Sequence, residues 1–222
     1  MKKISFLVAV LGIFSLSSSS AWSLVLPPTP VATPVPTPAP LNAPEGAFQV
    51  HTFANLDIGD SYFNLTNGGS SIASGNNGNI CANVYALSAD DTMFACCACS
   101  ITPDQLRTYS VVTDLLGNPL TMAMRTSIVV KLVASTPNPK NSTSCNASSP
   151  TTSNLAPGLV AWGSNLHANS TTTPTTYAVT EQEFSYPTLS TTELNNLASQ
   201  CHQIQTTGMG SGICSGCLQG GR

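Results

Sequence analysis

The chain has 222 residues, of which only 8% are charged, and its formal net charge is −3 at pH 7. Typical soluble domains carry about 25% charged residues, whereas Thr, Ser, Asn and Gly supply most of the polarity here. Without a basic patch the sequence has no electrostatic attraction to nucleic acid or to an anionic membrane surface, so we exclude both as partners.

The first 23 residues predict a secretory signal peptide. Lys2 and Lys3 precede an apolar run at 4–16, and the small-residue segment SSSSAWS follows, with cleavage expected after Ala21 or Ser23. The apolar run is shorter than the roughly 20 residues that span a bilayer, so we expect export with no membrane span after cleavage. The mature chain then keeps five basic residues against ten acidic ones.

Residues 24–45 predict a proline-rich linker. Eight of the sixteen prolines lie between positions 27 and 44. Prolines at near-alternate positions favour extended polyproline II and leave few donors for a sheet ladder. We therefore expect a semi-rigid spacer that holds the following domain, residues 46–222, away from a wall or a partner.

From residue 46 onward the pattern changes to short alternating runs that are typical of strands. Clusters of Gly, Asn, Asp and Pro separate these runs. Short strands with regular turn signals predict a mainly β domain, an antiparallel β-sandwich of the immunoglobulin-like or jelly-roll-like kind. The predicted strands lie at 47–53, 61–67, 79–87, 93–101, 126–133, 158–168 and 176–184.

The first of two predicted helices is short. In the segment TPDQL, Thr102 is suited to an N-cap and Pro103 to the first turn of a helix. The residues that follow are compatible with one or two further turns. The sequence therefore predicts a short helix near 103–110.

The second predicted helix is C-terminal and lies near 191–205. Ser190 and Glu193 form the pattern of a capping box, and leucines on either side fit a hydrophobic staple. Apolar residues then recur at steps of three and four, as on one face of a helix. The stripe that we expect to be buried consists of Leu194, Leu197, Cys201 and Ile204.

The mature chain holds eight cysteines, an even number in a chain with an export signal, and this predicts disulfides by default. A polar loop at 136–157 shows no periodicity and is long for a compact domain. Cys145 in the middle of this loop predicts a covalent tether. The eight candidates are Cys81, Cys96, Cys97, Cys99, Cys145, Cys201, Cys214 and Cys217.

Successive side chains of a strand point to opposite faces, and this limits which disulfides the clustered cysteines can form. If the third and fourth predicted strands form a hairpin around SADDT, Cys81 lies opposite Cys99, or opposite Cys97 when the register shifts by two. Cys96 points to the other face. We expect Cys96 to bond across the fold, either to Cys145 or to the C-terminal group of cysteines.

Two C-x-x-C pairs keep a metal or redox alternative open. Four thiolates from two such pairs make a structural zinc site. The strand-like flanks of Cys96 and Cys99 place their sulfur atoms on opposite faces, which disfavours zinc. Cys214 and Cys217 lack the strand-to-helix setting that lowers the pKa of a thiol, which disfavours redox chemistry. We therefore expect disulfides, with no metal and no cofactor.

The sequence contains no zinc-hydrolase, nucleophile-elbow or phosphate-binding motif. Glu181 and Glu183 share a face of one predicted strand and are candidates for a glycosidase pair, although the solvated face of an edge strand is the simpler interpretation. Trp162 and His167 are candidates for the lining of a pocket. A single tryptophan in a mature chain is, however, more often a core residue.

Several strings in the domain are distinctive, namely NICANVY, ACCACSITPDQL, SVVTDLLGNPLT, TSIVVKLVAS, LAPGLVAWGSNLHA, YAVTEQEFSYPTLSTTEL and GSGICSGC. Together they resemble an uncharacterised family of exported, cysteine-rich, β-rich bacterial proteins. The resemblance covers residues 79–217 and implies a single secreted unit. It implies no activity and no catalytic residues.

These observations predict a secreted or cell-envelope protein with a structural or binding role, whose partner is a protein or a glycan at the cell surface. One alternative is a secreted polysaccharide-acting hydrolase that uses Glu181 and Glu183. Another is an extracytoplasmic metal-binding or redox protein that uses the two C-x-x-C pairs.

Overall fold

The computed structural model describes residues 40–71, 77–117, 125–138, 140, 144–169, 176–208 and 212–214. The predicted signal peptide, most of the predicted linker and Cys217 lie outside these residues. Pro40 and Leu41, near the end of the predicted linker, contact the domain, since the Leu41 backbone N–H donates to the Leu189 carbonyl at 2.7 Å.

Within the described residues the chain forms nine strands, one long helix and one π-helical turn. All seven predicted strands are confirmed to within two residues at either end. The strands are β1 (Phe48–Phe53), β2 (Tyr62–Asn67), β3 (Ile80–Leu87), β4 (Met93–Ile101), β5 (Leu106–Ser110), β6 (Ile128–Ser135), β7 (Leu159–Asn169), β8 (Thr176–Glu183) and β9 (Gly212–Ile213). The helix α1 covers Thr191–Thr207, and the π-helical turn covers Val111–Leu116.

The strands form a sandwich of two sheets, as the sequence predicts. A five-stranded sheet has the order β1-β6-β3-β4-β9, and a four-stranded sheet has the order β5-β2-β7-β8. The pairings are antiparallel apart from that of β4 with β9, which is parallel. The main core lies between the two sheets and contains the buried rings of Phe53, Phe63, Tyr109 and Phe184.

The helix α1 packs on the outer side of the five-stranded sheet and forms a second core there. The Ser190 side chain caps the helix by accepting a hydrogen bond from the Glu193 backbone N–H at 3.0 Å. The helix ends at Gly208, whose φ of 67° is a left-handed conformation that glycine adopts without strain. The predicted helix is thus confirmed, and its buried residues are those of the predicted stripe, Leu194, Leu197, Cys201 and Ile204.

The predicted short helix near 103–110 is wrong. Asp104 adopts a positive φ of 60°, and its backbone N–H donates to the Asn67 carbonyl at 2.8 Å. This turn directs the following residues away from a helical path and into β5, which pairs with β2. Alternation along β5 buries Tyr109 in the main core, which a single solvated helical turn would not do.

A β-bulge changes the register of the hairpin formed by β3 and β4. The pairing begins with Leu87 opposite Met93, as the five-residue loop requires, and then shifts by one residue at Phe94. A bulge adds one residue to one strand and so moves every later partner. Cys81 consequently lies opposite Ser100.

Cys81 forms a disulfide with Cys145, and their Cα atoms are 5.5 Å apart. The predicted pairing of Cys81 with Cys99 or Cys97 is therefore wrong, because the bulge removes both residues from the position opposite it. The prediction that Cys145 tethers its long polar loop is confirmed. This disulfide attaches the loop to the edge of the hairpin.

Two adjacent cysteines of β4 bond to different layers of the molecule. Cys96 bonds to Cys201 of α1, with a Cα separation of 5.8 Å, and Cys97 bonds to Cys214 beside β9, with a Cα separation of 5.4 Å. Of the two expected alternatives for Cys96, a bond to Cys145 or to the C-terminal group of cysteines, the structure shows the second. Disulfides of this number indicate an oxidising, extracytoplasmic environment. In the described part of the chain, no helix has the length and apolarity needed to cross a bilayer.

The two sheets approach each other closely at Gly163 of β7. A Cβ atom at this position would lie 2.8 Å from ring atoms of both His51 and Phe53, so a larger residue would displace the rings. The His51 Nε2 atom lies 3.3 Å from the Asn165 amide nitrogen, which donates to it, and Asn165 Oδ1 accepts from the Ala54 backbone N–H. Burial lowers the pKa of His51, so this contact between the sheets is built on a neutral imidazole.

Candidate functional site

One face of the four-stranded sheet points away from the core, and we call it the outer face. It is formed by alternate residues of each strand, because successive side chains in a strand point to opposite sides. The residues between them, such as Phe63, Leu65 and Ala161, are buried in the main core. The outer face consists of Leu106, Thr108, Ser110, Tyr62, Asn64, Thr66, Val160, Trp162, Ser164, Leu166, Tyr177, Val179, Glu181 and Glu183.

Trp162 lies near the middle of the outer face and is half-buried. Asn64 of β2 lies opposite it on one side, and Glu183 of β8 lies opposite it on the other. Along β7 its neighbours on the same face are Val160 and Ser164. Three of these four neighbours carry hydrogen-bonding groups, so a single aromatic ring is set among polar side chains.

The interpretation of Trp162 as a core residue is wrong. Its two neighbours in sequence, Ala161 and Gly163, are the residues that point inward. Small residues are needed there because the aromatic rings of the main core approach β7 closely. The side chain of Trp162 is therefore directed outward.

Hydrogen bonds within the outer face fix the orientation of its polar groups. The Thr108 hydroxyl donates to Asn64 Oδ1 at 2.6 Å. The Ser164 hydroxyl donates to Glu181 Oε1 at 3.3 Å. Asn64 thus keeps its amide N–H groups for a ligand, and the carboxylate of Glu181 keeps its second oxygen.

Tyr186 follows β8 and extends the outer face beyond Glu183. Its hydroxyl donates to Glu183 Oε1 at 2.6 Å. Partial desolvation and this hydrogen bond raise the pKa of Tyr186 to about 12. Two surface cavities of about 410 and 420 Å³ flank the Tyr186 side chain, and both are also lined by Glu45. Val160 belongs to the second cavity, which joins this end of the outer face.

Glu181 and Glu183 share one face of a strand, as the sequence predicts. Both are exposed on β8, at the end of the four-stranded sheet. Neither lines the two cavities beside Tyr186 or the cavity beside Cys81. The pair is therefore presented on an open surface, where it can accept hydrogen bonds from a ligand without enclosing it.

His167 and Trp162 do not line a common pocket. The two residues are five positions apart on β7, and so their side chains point to opposite faces of the sheet. The His167 Nε2 atom lies 2.8 Å from the Thr180 hydroxyl of β8. His167 therefore contributes a cross-strand contact at the exposed end of β7 and is not part of the outer face.

Alternation along β2 also places Tyr62 and Asn64 on the outer face, and sequence reasoning missed both. The signal was present in the string SYFNLTN, in which Phe63 and Leu65 alternate with polar residues. Alternation alone, however, does not show whether the polar side of a strand meets solvent, a helix or another sheet. Only the position of β2 between β5 and β7 shows it.

The cysteines of the first C-x-x-C pair do not form a metal site in this structure. Cys96 and Cys99 are both disulfide-bonded, and a sulfur atom in a disulfide is not a thiolate ligand. In the second pair Cys214 is bonded to Cys97, and Cys217 lies outside the described residues. Among the residues that the structure describes, no group of three or more His, Cys, Asp or Glu side chains is arranged to hold a metal ion.

The sequence matches no family model and no curated protein. Among solved structures it is similar to one described as "Crystal Structure of Thermotoga maritima 1070", with 8% sequence identity and a TM-score of 0.35. The similarity covers 66% of this chain and 97% of that one. A likeness at this TM-score carries no argument about fold or function, so the function has to be argued from the site.

Proposed function

We propose that this protein is an exported binding protein of the cell surface or extracellular space, and that it binds a glycan on the outer face of the four-stranded sheet. The predicted signal peptide and the predicted proline-rich spacer support display away from the cell. The disulfides support a role in an oxidising environment outside the cytosol.

The observation that carries the proposal is the position of Trp162 among polar side chains. A sugar ring has an apolar face of C–H groups, which packs on an aromatic ring, and a rim of hydroxyl groups, which hydrogen-bond to amides and carboxylates. Asn64, Ser164 and Glu183 supply such groups around the indole. The hydrogen bonds from neighbouring side chains orient these groups before a ligand arrives, which lowers the entropic cost of binding.

Charge supports a neutral glycan in preference to an acidic one. The outer face carries two carboxylates, Glu181 and Glu183, and no lysine or arginine among its residues. Two fixed negative charges repel uronic acids, phosphates and sulfates. Hydroxyl groups, in contrast, donate hydrogen bonds to carboxylates.

The test uses Trp162 as its own probe. The only other tryptophan is Trp22, which lies in the predicted signal peptide, so a mature protein that begins at Leu24 holds Trp162 as its single tryptophan and its fluorescence reports on the outer face. The oxidised mature protein is titrated with cellohexaose, mannohexaose and the hexamer of N-acetylglucosamine. We expect one of these neutral glycans to shift the emission, and Trp162→Ala to weaken its binding, measured by calorimetry, at least about tenfold because a central aromatic anchor is removed.

Asn195→Ala is the matched control, because Asn195 is exposed on α1 at the opposite side of the sandwich. We expect it to bind like the unsubstituted protein. If no neutral glycan shifts the emission, or if Trp162→Ala and Asn195→Ala bind equally well, the proposal is wrong.

A hydrolase is the second candidate, favoured by the presence of Glu181 and Glu183 on the same face as Trp162. The same hexasaccharides are incubated with the protein, and shorter products are measured by chromatography. If the protein cleaves a hexasaccharide and the Glu181→Gln/Glu183→Gln double variant does not, the function is hydrolysis and not binding alone. Cleavage that persists in full in this variant would rule out the two carboxylates as catalytic residues.

A further inference from the structure

The edges of the two sheets differ in how they are protected against strand addition. Natural edge strands are short, covered, or carry inward-pointing charges, because an open edge offers unpaired N–H and C=O groups to another strand. The edge strand β9 has only two residues. The edge strand β1 is covered at Val50, whose backbone N–H and carbonyl both bond to Ser185 at 2.9 Å. The edge strand β5 has five residues and carries Arg107 on its inward-facing side.

The fourth edge strand, β8, lacks these protections among the residues that the structure describes. It is eight residues long, and all eight are exposed. It contains no proline, glycine or lysine, and its pairing with β7 continues without a bulge from Glu183 to Thr176. Thr, Tyr and Val make up half of the strand, and these residues favour extended pairing.

We propose that β8 pairs with β8 of a second copy of this chain in an antiparallel manner, so that two four-stranded sheets become one sheet of eight strands. Alternate residues of β8 direct their backbone N–H and carbonyl groups away from β7, and the second copy satisfies them. The proposal stands independently of the glycan.

The positions of the two carboxylates on β8 allow self-pairing in registers that keep them apart. A pairing centred on Thr180 places Glu181 opposite Val179 and Glu183 opposite Tyr177, so no two carboxylates face each other. It also places the two Thr180 side chains opposite each other, a favourable cross-strand pair. A pairing centred on Glu181 would oppose the two Glu181 side chains, and a pairing centred on Gln182 would oppose Glu181 with Glu183, both of which like-charge repulsion disfavours.

The two-fold axis of such a dimer is perpendicular to the sheet, and the two outer faces therefore lie on the same side. Each face keeps its own Trp162. A ligand with repeated units would contact both faces at once, and the second contact would form at a high effective concentration.

The test is sedimentation velocity of the oxidised mature protein from about 1 to about 200 µM, a range in which a moderate self-association is visible by mass action. We expect a reversible monomer–dimer equilibrium. Val179→Glu would oppose Glu181 of the second copy and weaken dimerisation about tenfold, whereas Val179→Lys would pair with it and tighten dimerisation several-fold.

Leu106→Glu on β5 is the matched control. Leu106 and Val179 are 56% and 58% exposed, so both substitutions keep the fold, which circular dichroism checks. Dimerisation is expected to be unchanged in Leu106→Glu.

A protein that stays monomeric over the whole range would overturn the proposal. Equal weakening by Val179→Glu and Val179→Lys would overturn the register centred on Thr180. If the protein stays monomeric but binds a synthetic peptide of alternating lysine and valine, the partner of β8 is a basic strand of another protein and not a second copy of this chain.

Discussion

The two outward-facing sides of the sandwich are built from the same alternation of residues but end in different surroundings. On the five-stranded sheet, outward-pointing residues such as Tyr85 and Val133 are fully buried beneath α1 and the loop that follows Cys145. On the four-stranded sheet, Tyr62 is 46% exposed. An outward row of aromatic and β-branched residues thus becomes a second core on one side and an accessible surface on the other.

Tyr85 on the covered face and Tyr62 on the open face show how the two surroundings differ. Tyr85 donates from its hydroxyl to the Ala147 carbonyl at 2.7 Å, and burial raises its pKa. The Tyr85 hydroxyl therefore has its hydrogen-bond partner within the protein, and the ring is fully buried. Tyr62 has its ring in contact with solvent, which leaves apolar surface for a ligand to bury. The covered side forms a second core that contributes to stability, and the open side is the surface that we propose for ligand binding.

The largest expected effect is on the covered side. Cys96→Ala/Cys201→Ala removes the disulfide that joins α1 to β4, with a sequence separation of 105. Because the Cys97–Cys214 disulfide already closes nearly the same loop, the Cys96–Cys201 crosslink closes only about 15 further residues and contributes about 3 kcal/mol in the chain-entropy model. We expect a loss of this order in the free energy of unfolding, measured with urea under oxidising conditions.

The companion variant is Cys81→Ala/Cys145→Ala, which removes a disulfide with a separation of 64; neither Cys96–Cys201 nor Cys97–Cys214 shortens this loop, so the loss is expected to be larger, about 4 kcal/mol. Trp162 fluorescence in the folded state should be the same in both double variants, because neither disulfide contacts the outer face. A loss below about 1 kcal/mol for the first variant would contradict the chain-entropy argument.

Leu197→Ala tests the second core directly. Leu197 is fully buried in the helix stripe, and truncation of a buried leucine typically costs about 2–5 kcal/mol. Val179→Ala on the outer face removes apolar atoms from an exposed side chain and should cost about 0.5 kcal/mol or less. Equal losses in urea unfolding would show that the two sides do not differ as described.

A smaller, pH-dependent effect is expected from His51, which lies between the two sheets. Burial lowers its pKa in the folded protein below the ordinary value of 6.5. Above pH 6.5 the imidazole is neutral in both folded and unfolded chains, and stability is complete. As the pH falls below 6.5 the unfolded chain binds the proton first, so stability is lost.

The measurement is the urea midpoint between about pH 8 and pH 5. We expect His51→Phe to flatten the acid side of the profile, because it removes the titrating group while keeping a ring beside Phe53 and Phe184. His202→Gln, on the exposed surface of α1, is the control and should leave the profile unchanged. An identical acid loss in His51→Phe would show that other groups cause it.

The smallest effect concerns the ion pair that links α1 to the five-stranded sheet. Lys131 Nζ lies 2.7 Å from Glu193 Oε1 and 3.2 Å from Asp91 Oδ1. Glu193→Gln should cost about 0.5–1 kcal/mol, since such pairs near the surface are weak. The loss should shrink at high salt. Asp91→Asn, at the more exposed partner, should cost less, and the reverse order would contradict this assignment.

The elements that sequence predicts best are those whose signals are local. The capping-box pattern at Ser190 and Glu193 and the apolar stripe that follows predict α1 closely, because both depend on residues within a few positions of each other. The strands are recognised for the same reason. Pro103, in contrast, is equally suited to a helical first turn and to a turn between strands, and only the pairing of β5 with β2 decides between them.

The parts that sequence could not predict depend on distant contacts. The bulge at Phe94 leaves no pattern in the string MFACCACSI, yet it decides the position of Cys81. The outer face has the same origin, because alternation shows that Trp162 and Ala161 point in opposite directions but not which direction is inward. That choice depends on the aromatic rings of β1 and β2, which approach β7 from one side.

The disulfides of β4 have a consequence for the order in which the chain can fold and oxidise. Cys96 pairs with Cys201 and Cys97 with Cys214, at separations of 105 and 117 residues. A chain that crosses a membrane from its N-terminus delivers β4 long before either partner emerges. Cys96 and Cys97 are then adjacent thiols without their native partners. Each forms its native disulfide once α1 and the segment around Cys214 have packed against β4. The native pairing of these two neighbouring cysteines with two distant partners therefore depends on the packing that brings Cys201 and Cys214 beside β4.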